Sequence, residues 1–414
     1  MNSFLILMTL LYGSQTNVTN DKITDKAYIK SNNNTNEEKD NVRLYLDYII
    51  DNSTPLKPYW NIERKIQSAT EPNWNYIDGI MIKAILEMYY VTNERKYLDF
   101  AEYFIDFYIN EDGTIKGYRK DEFNIDNINA GKVLFDLYDL TAKEKYRKAI
   151  DTLYSQLMDH PRTSRGNFWH KMIHPNQVWL DGLYMAQPFY MEYETKYNNN
   201  LNTLDIYNQI LNVRKKMYDE EKKLYYHGYD ESRQMHWSDH ETGLSESFWG
   251  RSMGWYVMAL VDVLDKMDKD TYPFEYNHIK RIFKEAIDGL LLYQHPSGMW
   301  YQVIDQGCRS GNYLETSVSS MISYAILKGV RLGLLPHSYT AYGLKAYNGV
   351  KDKYFKVYND KLELGGICLV AWLGPGMRDG SYEYYISEPI VENDAKGVAP
   401  FFLAYTEIER LKNK

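Results

Sequence analysis

Past residue 40 the chain alternates apolar and polar positions with helical spacing, apolar side chains returning every three or four residues. Two kinds of segment take turns. One is apolar nearly all round, as in Gly79-Ile-Met-Ile-Lys-Ala-Ile-Leu86, and predicts a helix covered on every side. The other keeps one wet face, as in Lys96-Tyr-Leu-Asp-Phe-Ala-Glu-Tyr-Phe-Ile105 and Tyr146-Arg-Lys-Ala-Ile-Asp-Thr-Leu153. The apolar kind recurs six times, beginning at Gly79, Gly131, Gly182, Gly254, Ser317 and Gly397, at spacings of about fifty to eighty residues. Six buried helices, each followed by an amphipathic one, predict a closed ring of inner helices walled by outer ones. Strand-like runs are few, the best being Gly366-Ile-Cys-Leu-Val370. The expectation is an all-α, single-domain fold over residues 41–414.

The first forty residues read differently. An apolar run from Phe4 to Leu11 is too short to span a bilayer and has the character of a secretory h-region, although no basic residue precedes it. The polar, Asn-rich stretch from Thr16 to Asp40 completes a signal-like, disordered leader over 1–40. Export to the periplasm or the medium is the expectation, a cytoplasmic protein the alternative. No later stretch is apolar enough for a membrane.

Composition narrows the function. With 48 Lys and Arg against 56 Asp and Glu, the formal net charge is −8 and no basic stripe is present, which argues against nucleic acid as a partner. The two cysteines, Cys308 and Cys368, lack metal-ligand spacing, so no metal site is expected. Aromatic residues reach 15%, with 40 Tyr and 9 Trp. Flat rings with a polar edge suit sugar stacking, although most tyrosines will simply fill helix interfaces.

Candidate chemistry sits just before the inner helices, whose N-terminal ends would converge at one mouth. Asp181, in Trp179-Leu-Asp-Gly-Leu-Tyr-Met185, is either a helix cap or a carboxyl desolvated by indole neighbours and able to deliver a proton. Asp126 offers a second carboxylate, again a cap or the partner of Asp181 in a like-charge pair. Arg251, in Trp249-Gly-Arg-Ser-Met-Gly-Trp255, is either a clamp for an anionic sugar with Trp255 stacking beside it, or an interior arginine paired with an acid such as Glu246. His170, His227 and Tyr76 complete the polar and aromatic lining. The segment from Arg378 to Tyr385 either closes the mouth or belongs to the barrel.

These segments, with Glu315-Thr-Ser317 and Asn393-Asp-Ala-Lys-Gly397, resemble glycoside hydrolase family 105, the unsaturated rhamnogalacturonyl hydrolases, and more distantly the family 88 unsaturated glucuronyl hydrolases. The resemblance extends from about Trp60 to Glu409. It implies an (α/α)6 barrel of six helical hairpins, acting as a monomer without metal or cofactor on oligosaccharides with an unsaturated uronic acid at the non-reducing end. It also implies Asp181 as acid and base, Asp126 as the second essential carboxylate, and Tyr76, His170, His227, Arg251 and Trp255 around the uronate. A glucuronyl hydrolase, a non-catalytic sugar-binding barrel and an inverting glycosidase on saturated chains are the alternatives.

Overall fold

The computed structural model describes residues 37–412 other than 360; the stretch read as a signal-like leader lies, up to residue 36, outside the described residues. In chain order, α1 (Glu37–Asp51) and the short α2 (Ile62–Gln67) lead to α3 (Tyr76–Thr92) and α4 (Arg95–Asp106). Three hairpins follow: α5 (Lys132–Thr141) with α6 (Glu144–Asp159), α7 (Leu180–Tyr197) with α8 (Thr203–Met217), and α9 (Gly250–Lys266) with α10 (Pro273–Leu291). Then come α11 (Thr316–Arg331) with α12 (Thr340–Tyr354), the short α13 (Tyr382–Ser387), and α14 (Ala395–Lys412). The barrel and its site lie within the compact unit Tyr45–Lys414.

The six apolar segments of the sequence are the inner helices α3, α5, α7, α9, α11 and α14. Each packs on the next around the ring, and α14 closes it against α3. The fold is the (α/α)6 barrel that the repeat predicts. Burial follows pattern: in α9 every residue from Gly250 to Leu264 except Asp262 is buried, whereas the outer α4 buries only five of its twelve. The glycine that opens α3 has a steric cause. A Cβ on Gly79 would lie 2.5 Å from the Ala130 Cα, so the two inner elements approach backbone to backbone.

The barrel axis is filled. From the N-terminal end inward, Tyr76 meets Trp255 edge-on at 6.4 Å and Trp255 stacks on Tyr184 at 4.8 Å. Below them Lys132 places its Nζ 3.3 Å from the centre of the Tyr184 ring. At the opposite end, where the inner helices finish, acids and bases such as Glu87, Asp262, Asp265, Lys328, Glu407 and Arg410 line a cavity of about 250 Å³. Strands occur among the described residues only as short two-stranded ladders in the loops; the run at 366–370 contributes Ile367–Cys368, paired with Ile390–Val391. Cys308 is exposed, Cys368 is buried, and both are free thiols. No described helix is long and apolar enough to cross a membrane.

Candidate active site

Three main-chain hydrogen bonds string the loops of the mouth together. Ile125 N–H donates to the His170 carbonyl at 3.1 Å, His170 N–H to the Gln177 carbonyl at 2.8 Å, and Leu180 N–H to the His227 carbonyl at 3.0 Å. The last continues an antiparallel ladder between Gln177–Trp179 and Gly228–Asp230, with Trp179 opposite Gly228. Residues far apart in sequence are thereby fixed in a row: Asp126, His170, Asp181 and His227. The bonds run through the backbone of the two histidines and of the residues just before the two aspartates, which is how a site gains precision on a rigid scaffold.

Asp181 does not cap its helix. Trp179 holds the N-cap position of α7 and makes no side-chain cap bond, while Asp181 is the second helical residue, within the first turn. Its carboxylate approaches His227, with Nε2 and Oδ2 3.2 Å apart. The two atoms touch without hydrogen-bond alignment, and each is buried with no other partner among the described residues. Such loose contacts are common in unliganded sites and tighten on substrate binding. On its other side, the His227 Nδ1 is 2.6 Å from the Tyr385 hydroxyl. Rings of Trp249 and Trp179 lie 4.7 and 5.7 Å from the imidazole.

Asp126 is likewise released from capping, because Asn124 takes that role and accepts from the Asp126 N–H. Its carboxylate pairs with Lys171 at 2.8 Å and stands 3.4 Å from His170 Nε2. Burial opposes the charge, but Lys171 and His170 outweigh it and hold the carboxyl below its ordinary range. The charge beside Asp126 is that of Lys171, which neutralises it. His170 stacks on Trp179 at 4.1 Å, and burial keeps its imidazole neutral by pushing its pKa well down. A Cβ on Gly182 would fall 3.0 Å from His170 Nδ1, so the Asp126 cluster adjoins the Asp181 turn directly.

The opposite wall centres on Arg251, 1% exposed. Its Nε donates to Ser317 Oγ at 2.8 Å, and its terminal nitrogens face Glu315 at 3.4 Å and the carbonyls of Cys368 and Leu369. The acid that pairs with it is therefore Glu315, which also caps α11 by accepting from Val318 N–H, while Glu246 is exposed. The guanidinium expected to clamp a sugar braces two segments, Glu315 to Ser317 and Cys368 to Leu369. Trp255 is equally buried beneath Tyr76, and Tyr76 itself is half-buried at the rim. Nearby, Lys396 bridges Glu63 at 2.6 Å and Asp394 at 3.0 Å at the start of α14.

Lys171 and Tyr385 join the site without having been singled out in the sequence. Lys171 follows His170 directly, and that adjacency was the available signal. Tyr385 ends the segment from Arg378 that the sequence offered either as closing the mouth or as barrel, but as one of 40 tyrosines, 158 residues from the histidine it touches, it was not itself placed in the site. Among the described residues no group of His, Cys, Asp and Glu is arranged to hold a metal ion.

The sequence model described as Glycosyl Hydrolase Family 88 matches residues 52–412. The chain belongs to this family. A solved glycoside hydrolase of family 105 from C. acetobutylicum ATCC 824 is 44% identical to this family member, covers 89% of the chain and 99% of its own length, and superposes with a TM-score of 0.82. Among curated proteins, the unsaturated rhamnogalacturonyl hydrolase YesR of Bacillus subtilis is 24% identical over 67% of this chain and 76% of its own. The crystal structure of the unsaturated glucuronyl hydrolase from Bacillus sp. GL1 shares the fold at a TM-score of 0.61 and 15% identity, covering 82% of this chain and 87% of that one. The expected kinship with families 105 and 88 holds, and this family 88 protein is a glycoside hydrolase.

Proposed function

We propose that this glycosidase removes the terminal 4,5-unsaturated galacturonic acid from lyase-generated rhamnogalacturonan oligosaccharides by hydrating its C4=C5 double bond. The observation that carries the reading is Asp181: a carboxyl freed from capping, set against His227 within a cluster of indole and imidazole rings. Its likeness to YesR supports the galacturonyl over the glucuronyl form.

In this reading the substrate alkene is a vinyl ether. Asp181 donates its proton to C4, leaving oxocarbenium character at C5. Water adds at C5 and returns a proton to the same carboxylate, so one group serves as acid and then base. The product hemiketal opens and the glycosidic bond breaks without attack at C1. Asp126, kept ionised by Lys171, accepts hydrogen bonds from sugar hydroxyls. Tyr76, His170, His227, Arg251 and Trp255 line the uronate subsite, Arg251 and Trp255 acting through the wall and floor they support. Six inner-helix N-termini point their partial positive charge at this mouth, which favours the uronate carboxylate.

The test uses the ultraviolet absorbance of the conjugated enol ether. Lyase-digested rhamnogalacturonan oligosaccharides should lose that absorbance with the wild-type protein, and Asp181→Asn should slow the loss by roughly 100- to 10,000-fold. Constant absorbance with new reducing ends would mean an ordinary glycosidase. Loss confined to glucuronate-terminated products would move the assignment to the glucuronyl class.

A further inference from the structure

We infer that Tyr385 is a positioning residue for catalysis: its phenol donates to His227 Nδ1 and so fixes the imidazole with its N–H on Nε2, facing Asp181. The inference rests on the reading of Asp181 as the acid and goes beyond it by assigning the proton inventory around that acid.

Tyr385 is held on every side. It is fully buried, its ring stacks on Trp249 at 5.5 Å with an interplanar angle of 11°, and its carbonyl accepts from Gln302 Nε2 at 3.1 Å. The turn that presents it is itself capped, Ser381 accepting from the Tyr384 N–H. Among the described residues the phenolic oxygen has one hydrogen-bond partner, His227 Nδ1 at 2.6 Å. A buried O–H requires an acceptor, and Nδ1 is the acceptor in reach. If Nδ1 carried the ring hydrogen instead, two donors would face each other or the phenol hydrogen would be left buried and unpaired. The bond therefore settles the tautomer, because the state of one imidazole nitrogen is set by what the other one meets.

The consequence reaches Asp181. An Nε2–H 3.2 Å from Oδ2 can donate to that oxygen but cannot take a proton from it. The acidic hydrogen of Asp181 is excluded from Oδ2 and resides on Oδ1, the oxygen left for substrate. When that hydrogen passes to C4, the carboxylate that remains has the His227 Nε2–H 3.2 Å away, a contact that aligns as substrate binds, and the proton recovered from water returns to Oδ1. His227 thus steadies the carboxylate without competing for its proton.

Two measurements on the full-length protein test this. Nitrogen-15 NMR of protein labelled at its histidine rings, with His227 assigned by its disappearance in His227→Gln, should report the Nε2–H tautomer in the wild type. Tyr385→Phe keeps the ring and its stacking but loses the donor. In that variant the His227 resonances should shift toward the Nδ1–H form, and kcat should fall on the order of 10- to 100-fold with KM within about twofold, as when the group orienting a catalytic histidine is removed. An Nδ1–H tautomer in the wild type overturns the proposal, and this measurement needs no variant at residue 385. So does a Tyr385→Phe protein whose kcat falls while the tautomer stays, because then the phenol only packs. Should Asp181→Asn remain active while the tautomer result stands, the reading of the acid fails and the assignment of Tyr385 survives as structure.

Discussion

A carboxylate among aromatic rings ionises only if something nearby answers its charge, and at Asp126 that something is Lys171. The pair makes a sharp prediction. Lys171→Met keeps the aliphatic stem but leaves burial, the largest influence on this carboxyl, opposed mainly by a neutral histidine. Asp126 is held below the ordinary range in the native protein, so it stays ionised well into mildly acidic solution. Without Lys171 its pKa rises, and the acid limb of the pH profile of kcat/KM should move to higher pH, with a loss of about tenfold at neutral pH. An unchanged acid limb would separate Asp126 from the activity. The chemistry of the mouth was partly legible beforehand. Asp126, His170, Asp181 and His227 announce themselves because each stands just before or beside an apolar helix or an aromatic loop. Whether Asp181 capped its helix was not legible, since a cap and a side chain two residues further on differ by backbone geometry that residue identity does not encode. Arg251 shows the converse: guanidinium chemistry suits a sugar acid, yet the fold spends it on Glu315, an acid 64 positions away.

Inner helices with glycine at their head meet their neighbours at different tolerances. A Cβ at Gly79 would sit 2.5 Å from a main-chain carbon of Ala130, whereas at Gly254 the nearest atoms belong to one side chain, the Met321 sulfur at 2.7 Å and its Cβ at 2.9 Å. Backbone cannot step aside and a thioether can. Gly79→Ala should therefore cost about 1–3 kcal/mol by overpacking, and Gly254→Ala clearly less, as read from urea denaturation midpoints. Equal losses would contradict the packing described for α3. The repeat that revealed these helices is a one-dimensional signal, because an apolar helix covered on all sides must be apolar on all faces. The ladder joining Gln177–Trp179 to Gly228–Asp230 left no such trace: two three-residue strands, paired across the whole of an intervening helical hairpin, have no periodicity to detect. That ladder sets Asp181 beside His227, so the fold could be read from the chain more fully than the site.

Across the whole barrel, the two ends of the inner helices are given opposite tasks. The end opposite the mouth is lined by charge, Lys328 joining Asp262 at 2.8 Å and Asp265 at 2.9 Å, with Arg410 bound to Glu87 and Glu407. Cations at the finishing ends of helices also complement their dipoles. Lys328→Met should destabilise by about 1–3 kcal/mol, because it removes the buried cation shared by two partly exposed carboxylates, and chemical denaturation measures it. Burial opposes ionisation of Asp265 and Glu87, but the neighbouring Lys328, Lys83 and Arg410 prevail and hold both carboxyls below their ordinary range. Groups depressed in the folded state lend stability above their unfolded values, near pH 4, and withdraw it as pH falls through the folded ones. Acid unfolding should thus set in below about pH 4, and in Lys328→Met the dependence of stability on pH there should be shallower. The ring closes where α14 meets α3, and Tyr385 arrives only just before α14. During synthesis the ribosome therefore releases every earlier hairpin before the last wall of the pocket exists, so a chain cut short of its final forty or so residues carries both the acid and the histidine but lacks the phenol that meets the imidazole and the helix that closes the ring.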